Sequence, residues 1–200
     1  AVDERAAKED AVGFLQSARQ AVEMWVTDGS EALKYYPGSQ RKRELFLRRT
    51  AEELKRFGDY QQDDPQLRLE QARALQALGT VQRMLGRSEE AEQSYHTADS
   101  IFSDQADNAE AKLGQANVQL QLGLLFAELA KLDDADAAYG AALDMLRALA
   151  KESPGTVEYE STIAASLLNR AALMIDQGEI GDATSVISDS VGQYEKVVQD

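Results

Sequence analysis

The side chains that could do chemistry are few, and their spacing serves it poorly. His96 is the only histidine. It follows Tyr95 in "GRSEEAEQSYHTA" (86–98). An imidazole acts as base, acid or metal ligand only with partners held in reach. No cysteine exists, so thiolate nucleophiles, thiolate metal sites and disulfides are excluded. His96 reads as a partly exposed helix residue. Asp133, Asp134 and Asp136 raise the question of calcium. A calcium loop of the EF-hand kind needs a glycine at its sixth place and a glutamate at its twelfth. Gly140 falls elsewhere, and acids at a helix start are accounted for by the helix dipole. No glycine-rich phosphate loop, dinucleotide fingerprint or nucleophile elbow occurs. "GEIGD" (178–182) reads as a loop between helices. The expectation is no catalytic residue, no cofactor and no metal in this chain.

Charge narrows the partners. The chain carries 35 Asp+Glu against 21 Lys+Arg, a net charge of −14. Such a surface repels phosphate backbones and anionic lipid, so no nucleic-acid partner is expected. One stretch runs against the trend. From Arg41 to Arg56 seven Lys/Arg stand against three Glu, a local +4 in a chain of −14, so the remainder carries −18. That stretch could dock on an acidic surface. The simpler reading is an amphipathic helix with Leu45, Leu47, Ala51 and Leu54 as its core side. No segment is apolar enough to enter a membrane, so no direct membrane insertion is expected. The chain starts at Ala1 without a signal-like segment, which suggests a processed chain or a piece of a longer one.

The elements that would position any site are helical. Breakers fall at 27–40, 58–66, 85–90, 103–110, 131–135, 152–156 and 177–182, leaving eight segments of roughly 16–25 residues rich in Ala, Leu, Glu, Gln and Arg. None shows sustained period-two alternation. The spacing predicts an all-α chain.

The helices repeat. Leu78-Gly79 recurs as Leu122-Gly123, and at the same offset of 44 Val81 meets Leu125, Leu85 meets Leu129, Ala91 meets Ala135, Tyr95 meets Tyr139 and Ala98 meets Ala142. A weaker third copy lies 48 residues further, where Gly123 meets Ala171, Ala130 meets Gly178, Ala135 meets Ala183 and Tyr139 meets Ile187. Leu78, Val81 and Leu85 form one stripe of a first helix; Ala91, Tyr95 and Ala98 form one stripe of a second. Gly79 and Ala91 are expected at a close helix approach, with Tyr95 filling the wider gap beyond. Gly86 is expected to end the first helix in a left-handed conformation, with Ser88 and Asp133 as N-caps. Self-similarity at this period marks a stacked helical array.

These residues resemble the tetratricopeptide (TPR) repeat. The resemblance implies a right-handed α-solenoid of about four antiparallel hairpins. An N-terminal hairpin over 1–64 would lead into three TPR-like hairpins, about 65–107, 108–153 and 154–200, in one continuous solenoid. The third copy departs at Arg170 and Ser190, where the others have Leu and Ala. The front words, Ala21-Val22-Glu23, Pro37, the Arg/Leu-rich 41–57 and Asp63-Asp64-Pro65, resemble the segment preceding such repeats in large bacterial membrane-anchored serine/threonine kinases. That implies a binding or sensor region of a signalling protein, lying outside the cytoplasm. Without it, a soluble cytoplasmic domain is expected. Trp25 reads as a staple of the first hairpin.

The functional expectation is a protein–protein interaction scaffold. Its rival is a small-ligand sensor regulating an attached enzyme; an enzyme in its own right lacks an acid–base constellation. In the resembled family the first helix of each hairpin lines the concave side. That implies a partner-binding face of Arg73, Gln76, Thr80 and Arg83, then Asn117, Leu120, Leu124 and Glu128, then Leu168, Ala172, Ile175 and Asp176. The family's carboxylate-clamp places hold Gln76, Ala77, Leu120 and Gln121, with only Asn169 retained, so a chaperone tail is not the expected ligand. The last helix keeps Val186, Ile187, Val191, Tyr194 and Val198 in a stripe with nothing to cover its outer side. Either the parent chain continues there or a homodimer forms through the C-terminal helix.

Overall fold

The structure, a computed structural model, describes residues 40–58 and 64–199. The expected first segment, with Trp25, Ala21-Val22-Glu23 and Pro37, lies outside them, as does Asp63. Among the described residues there are seven helices and no strand: α1 Gln40–Gly58, α2 Pro65–Met84, α3 Ser88–Ser103, α4 Ala109–Glu128, α5 Leu132–Glu152, α6 Val157–Asp176 and α7 Ile180–Gln199. The chain divides into two compact units, Ala1–Ile101 and Phe102–Asp200.

The repeat reaches into the backbone. Asp64 caps α2, its carboxylate accepting from the N–H groups of Gln66 and Leu67 at 3.0 and 3.3 Å. Forty-four residues on, Asn108 caps α4 through the Glu110 N–H at 2.8 Å. Forty-eight further, Thr156 stands at the cap of α6 but makes no side-chain cap bond. Its hydroxyl donates backwards to the Ser153 carbonyl at 3.0 Å.

The far ends of these helices repeat too. Gly86, Ala130 and Gly178 all have left-handed backbones, with φ of 73°, 56° and 84°. In each case the following residue's N–H reaches back to the helix: Arg87 to Gln82 O at 2.9 Å, Lys131 to Phe126 O at 2.9 Å, Glu179 to Met174 O at 2.8 Å. This 6→1 bond, with the 5→2 bond from the left-handed residue itself, is the Schellman arrangement. It also corrects the expected N-caps. Arg87, Lys131 and Glu179 already accept the first bond of the next helix, from Ala91, Ala135 and Ala183, each at 3.0 Å. The turn leaves no room for a later cap, so Ser88 is the first residue of α3, and Asp133 lies in the first turn of α5 behind Lys131.

In the first unit, α1 packs on α2 with Leu47, Thr50 and Ala51 buried. Leu45 is 53% exposed, against the expected core set. It stands two residues, or about 200°, from Leu47 and cannot share its stripe. The Leu54 side chain is outside the described set. Between α2 and α3 the expected geometry needs a second correction. Tyr95 does not fill a gap beyond Gly79 but lies on it: a Cβ at Gly79 would sit 2.6 Å from the ring's Cε1. Nearby, Ser94 Oγ donates to Gln82 Oε1 at 2.7 Å, with both side chains buried.

In the second unit the same device recurs, a Cβ at Gly123 falling 2.5 Å from Cε1 of Tyr139. A third case, Gly114 against the Phe102 ring at 2.5 Å, has no counterpart at the repeat offset. Two clusters join α4, α5 and α6. One holds Ala116, Leu143, Leu146, Ile163 and Leu167; the other holds Leu120, Ala135, Tyr139, Ala142 and Leu173. Against α6, α7 buries Ala183 and Ser190, whose hydroxyl donates to the Ala164 carbonyl at 2.8 Å. Ser190 thus occupies the small-residue place of Ala98 and Ala142, all fully buried.

Candidate functional site

The face inferred from the sequence is only partly open. On α2, Arg73 Nη1 donates to Glu70 Oε1 at 2.5 Å, with both side chains largely buried. A pair so placed serves the helix face it lies on before it serves a ligand. Thr80 Oγ1 stands 3.2 Å from the Tyr95 hydroxyl, which ties it to the hairpin interior. Gln76 and Arg83 are half-buried.

On α4, Leu120 is buried in the cluster with Ala135, Tyr139, Ala142 and Leu173, and does not line a groove. The reason is geometric. A helix that packs on both its hairpin partner and the next hairpin keeps only one narrow side free. The stripe Asn117, Gln121, Leu124 and Glu128, spaced i, i+4, i+7, i+11, is the less covered side of α4, with Leu124 partly packed against the Leu120 cluster. Asn117 and Leu124 are half-buried and Glu128 is exposed. Gln121 Oε1 is buried and has no hydrogen-bond partner among the described residues. Such an acceptor is costly to leave without a donor.

Applied to α6, the 48-residue offset carries this stripe to Ala165, Asn169, Ala172 and Asp176. Ala172 and Asp176 are exposed. Leu168 and Ile175 are also exposed, but they are the counterparts of Leu120 and Ala127 and belong to a different side of α6. α4 and α6 also touch each other, and their two stripes match in sequence. Together they run from amides (Asn117, Gln121, Asn169) through apolar carbon (Leu124, Ala172) to carboxylates (Glu128, Asp176). Sequence reasoning left Gln121, Ala165 and Asn169 out of the binding face. Carrying one stripe through the repeat offset would have found them.

The residues weighed for chemistry are scattered. His96 is exposed, its Nε2 3.9 Å from Glu92 Oε1. It lines a shallow depression along α3 with Glu89, Gln93, Thr97 and Ser100. Asp133 and Asp134 are exposed in the first turn of α5. Asp136 has a different role. Its carboxylate takes both Nε and Nη2 of Arg170, at 2.6 and 3.2 Å, bridging α5 to α6. The hydrogen bond that Arg170 donates to Asp136 holds the guanidinium above its ordinary value against partial burial, and the charges of Asp136 and Asp144 add to it. No group of three or more His, Asp or Glu side chains is placed to hold a metal among the described residues. No helix among them is long and apolar enough to cross a membrane.

No protein-family model matches this chain, and no curated protein matches it. Among solved structures, it is similar to BtubC (BKLC) from P. vanneervenii, at 17% identity and a TM-score of 0.47 over 96% of this chain and 85% of that one. An overlap this loose carries no argument about function.

Proposed function

We propose that the chain is a non-catalytic protein-binding module of the TPR kind, and that the matching stripes of α4 and α6 take a polypeptide segment. The observation that supports this is the backbone repeat. Cap position, glycine–aromatic contact and left-handed turn return together at the offset of the sequence repeat, and hairpin arrays of this design present their first helices to ligands. The stripe chemistry suits a segment whose backbone amides meet Asn117, Gln121 and Asn169. An apolar side chain would lie on Leu124 and Ala172, with a Lys or Arg against Glu128 and Asp176. The resemblance of the front words to bacterial membrane-anchored serine/threonine kinases supports placing the module in the binding region of a larger signalling protein, outside the cytoplasm.

A random peptide library displayed on phage and selected on the immobilised chain tests the reading. Enrichment of a motif with an apolar residue followed by Lys or Arg is expected. The selected peptide should bind the Glu128→Lys, Asp176→Lys double variant roughly tenfold or more weakly, since both carboxylates are exposed and the change reverses their charge. No enrichment, or a peptide indifferent to that variant, removes the site from this face.

A further inference from the structure

Beyond Val157, exposed at the start of α6, five large apolar side chains of α6 and α7 are exposed: Leu168, Ile175, Ile180, Ile187 and Val191. Exposed leucines and isoleucines are ordinary when scattered. These are not scattered. Shifted back by 48 residues they become Leu120, Ala127, Leu132, Tyr139 and Leu143. Leu120, Tyr139 and Leu143 are buried, and Ala127 and Leu132 pack against the same core. What covers them there is the next helix, α6, through Ile163, Leu167 and Leu173. No described helix lies over α7 as α6 lies over α5. The exposed set is therefore an inter-hairpin packing face with no opposite half among the described residues.

We infer that a second copy of this chain covers this face, α7 pairing with α7 about a two-fold axis. The α7 stripe is itself a fitting occupant. Ile180, Thr184, Ile187 and Val191 recur at i, i+4, i+7, i+11, and the Ile187–Val191 step repeats the Ile163–Leu167 step that α6 lays on α5. The stripe carries no charge. Thr184, its one polar member, already donates to the Ile180 carbonyl at 2.8 Å and needs no partner. The acids Asp182 and Asp189 stand two residues from Ile180 and Ile187, on the opposite side of the helix. Two copies of an acidic chain can therefore meet here without opposing carboxylates at the centre. A two-fold contact sets the same patch against itself, as an apolar, self-complementary stripe allows.

This contact does not depend on peptide binding by α4 and α6, and its test is separate. Light scattering and sedimentation of the full chain should show a monomer–dimer equilibrium that persists from low to high NaCl. Ile187→Asp and Val191→Asp should remain monomeric at every concentration, with unchanged circular dichroism, because both side chains reach solvent in the monomer, Ile187 at 37% and Val191 at 49% exposure. Because the chain has no cysteine, an introduced one reports alone. Ile187→Cys or Val191→Cys should form disulfide-linked dimers under mild oxidation, and Asp189→Cys should not. A monomer at all concentrations overturns the proposal and leaves the face to a partner helix. A dimer that survives both Asp variants overturns it as well. So does one that dissolves in salt, which would point to the basic helix α1.

Discussion

The ring of Tyr95 occupies the space where Gly79 would carry a Cβ, and Tyr139 does the same to Gly123 forty-four residues later. Each pair fixes how closely the two helices of a hairpin approach. Both rings are buried, at 0% and 1% exposure, so neither can swing aside into solvent. Glycine inside a helix costs about 1 kcal/mol relative to alanine, and the close ring contact offsets that cost.

Gly79→Ala and Gly123→Ala should therefore destabilise the chain even though alanine is the better helix former. Overpacking costs about 1–3 kcal/mol, which outweighs the propensity gain. Urea denaturation followed by circular dichroism is the measurement. In a Tyr139→Leu background the same Gly123→Ala change should become neutral or stabilising, since the clash is gone. A raised midpoint for the single variants would mean the rings are not held by the glycines.

Ala130 carries a different strain. It stands at the left-handed position that Gly86 and Gly178 fill in the other hairpins, with φ of 56°. A side chain there crowds the backbone, and glycine does not. Ala130→Gly should raise stability by about 1 kcal/mol, and Gly178→Ala should lower it by a similar amount. A lower midpoint for Ala130→Gly would refute the assignment of strain to this turn.

Several of these relationships could be read from the sequence, and the reasons are local. Gly86 announces a left-handed residue because few others tolerate one. Leu78-Gly79 and Tyr95 announce a hairpin because their spacing puts them on facing stripes. The free side of each first helix could not be read so directly. Leu120 and Leu168 occupy the same place in their copies, yet one is buried by Leu173 of the next hairpin and the other is exposed. Which of them faces a neighbour depends on what is stacked beside it, and no local pattern encodes that. The Arg170 departure was visible as a break in the repeat, while Asp136, its partner, was hidden among acids that a helix start already explained.

The Arg170–Asp136 bridge replaces an apolar contact, Leu122 being almost fully buried at the equivalent place. Both side chains remain about a third exposed, at 32% and 40%, so solvent screens the pair. Asp136→Ala should cost only about 0.5–1 kcal/mol, and less in high salt. Arg170→Leu restores the residue of the other copies and should change stability little; adding Asp136→Ala to it should have no further effect. The pH dependence follows from the raised Arg170 value. A cation held above its ordinary value contributes fully below that value and loses its contribution only as pH rises through the folded one. No loss on account of Arg170 is expected between neutral pH and moderate alkali. A double-mutant cycle with no coupling would show that the bridge is incidental.

The three cap positions offer the sharpest comparison, because one backbone site carries three different side chains. Asp64 and Asn108 each accept from the helix they open, and Thr156 instead turns its hydroxyl back to Ser153. Asn108→Ala should cost about 1 kcal/mol, the usual worth of a cap whose oxygen satisfies a first-turn N–H. Thr156→Ala should cost much less, since no cap bond is lost. Thr156→Asn should stabilise by about 0.5–1 kcal/mol by supplying the missing acceptor. Asparagine is the better choice than aspartate here, because Glu158 and Glu160 already crowd the first turn with negative charge. Denaturation midpoints of the three variants, measured side by side, decide it. If Thr156→Ala proves as costly as Asn108→Ala, the threonine caps α6 in solution.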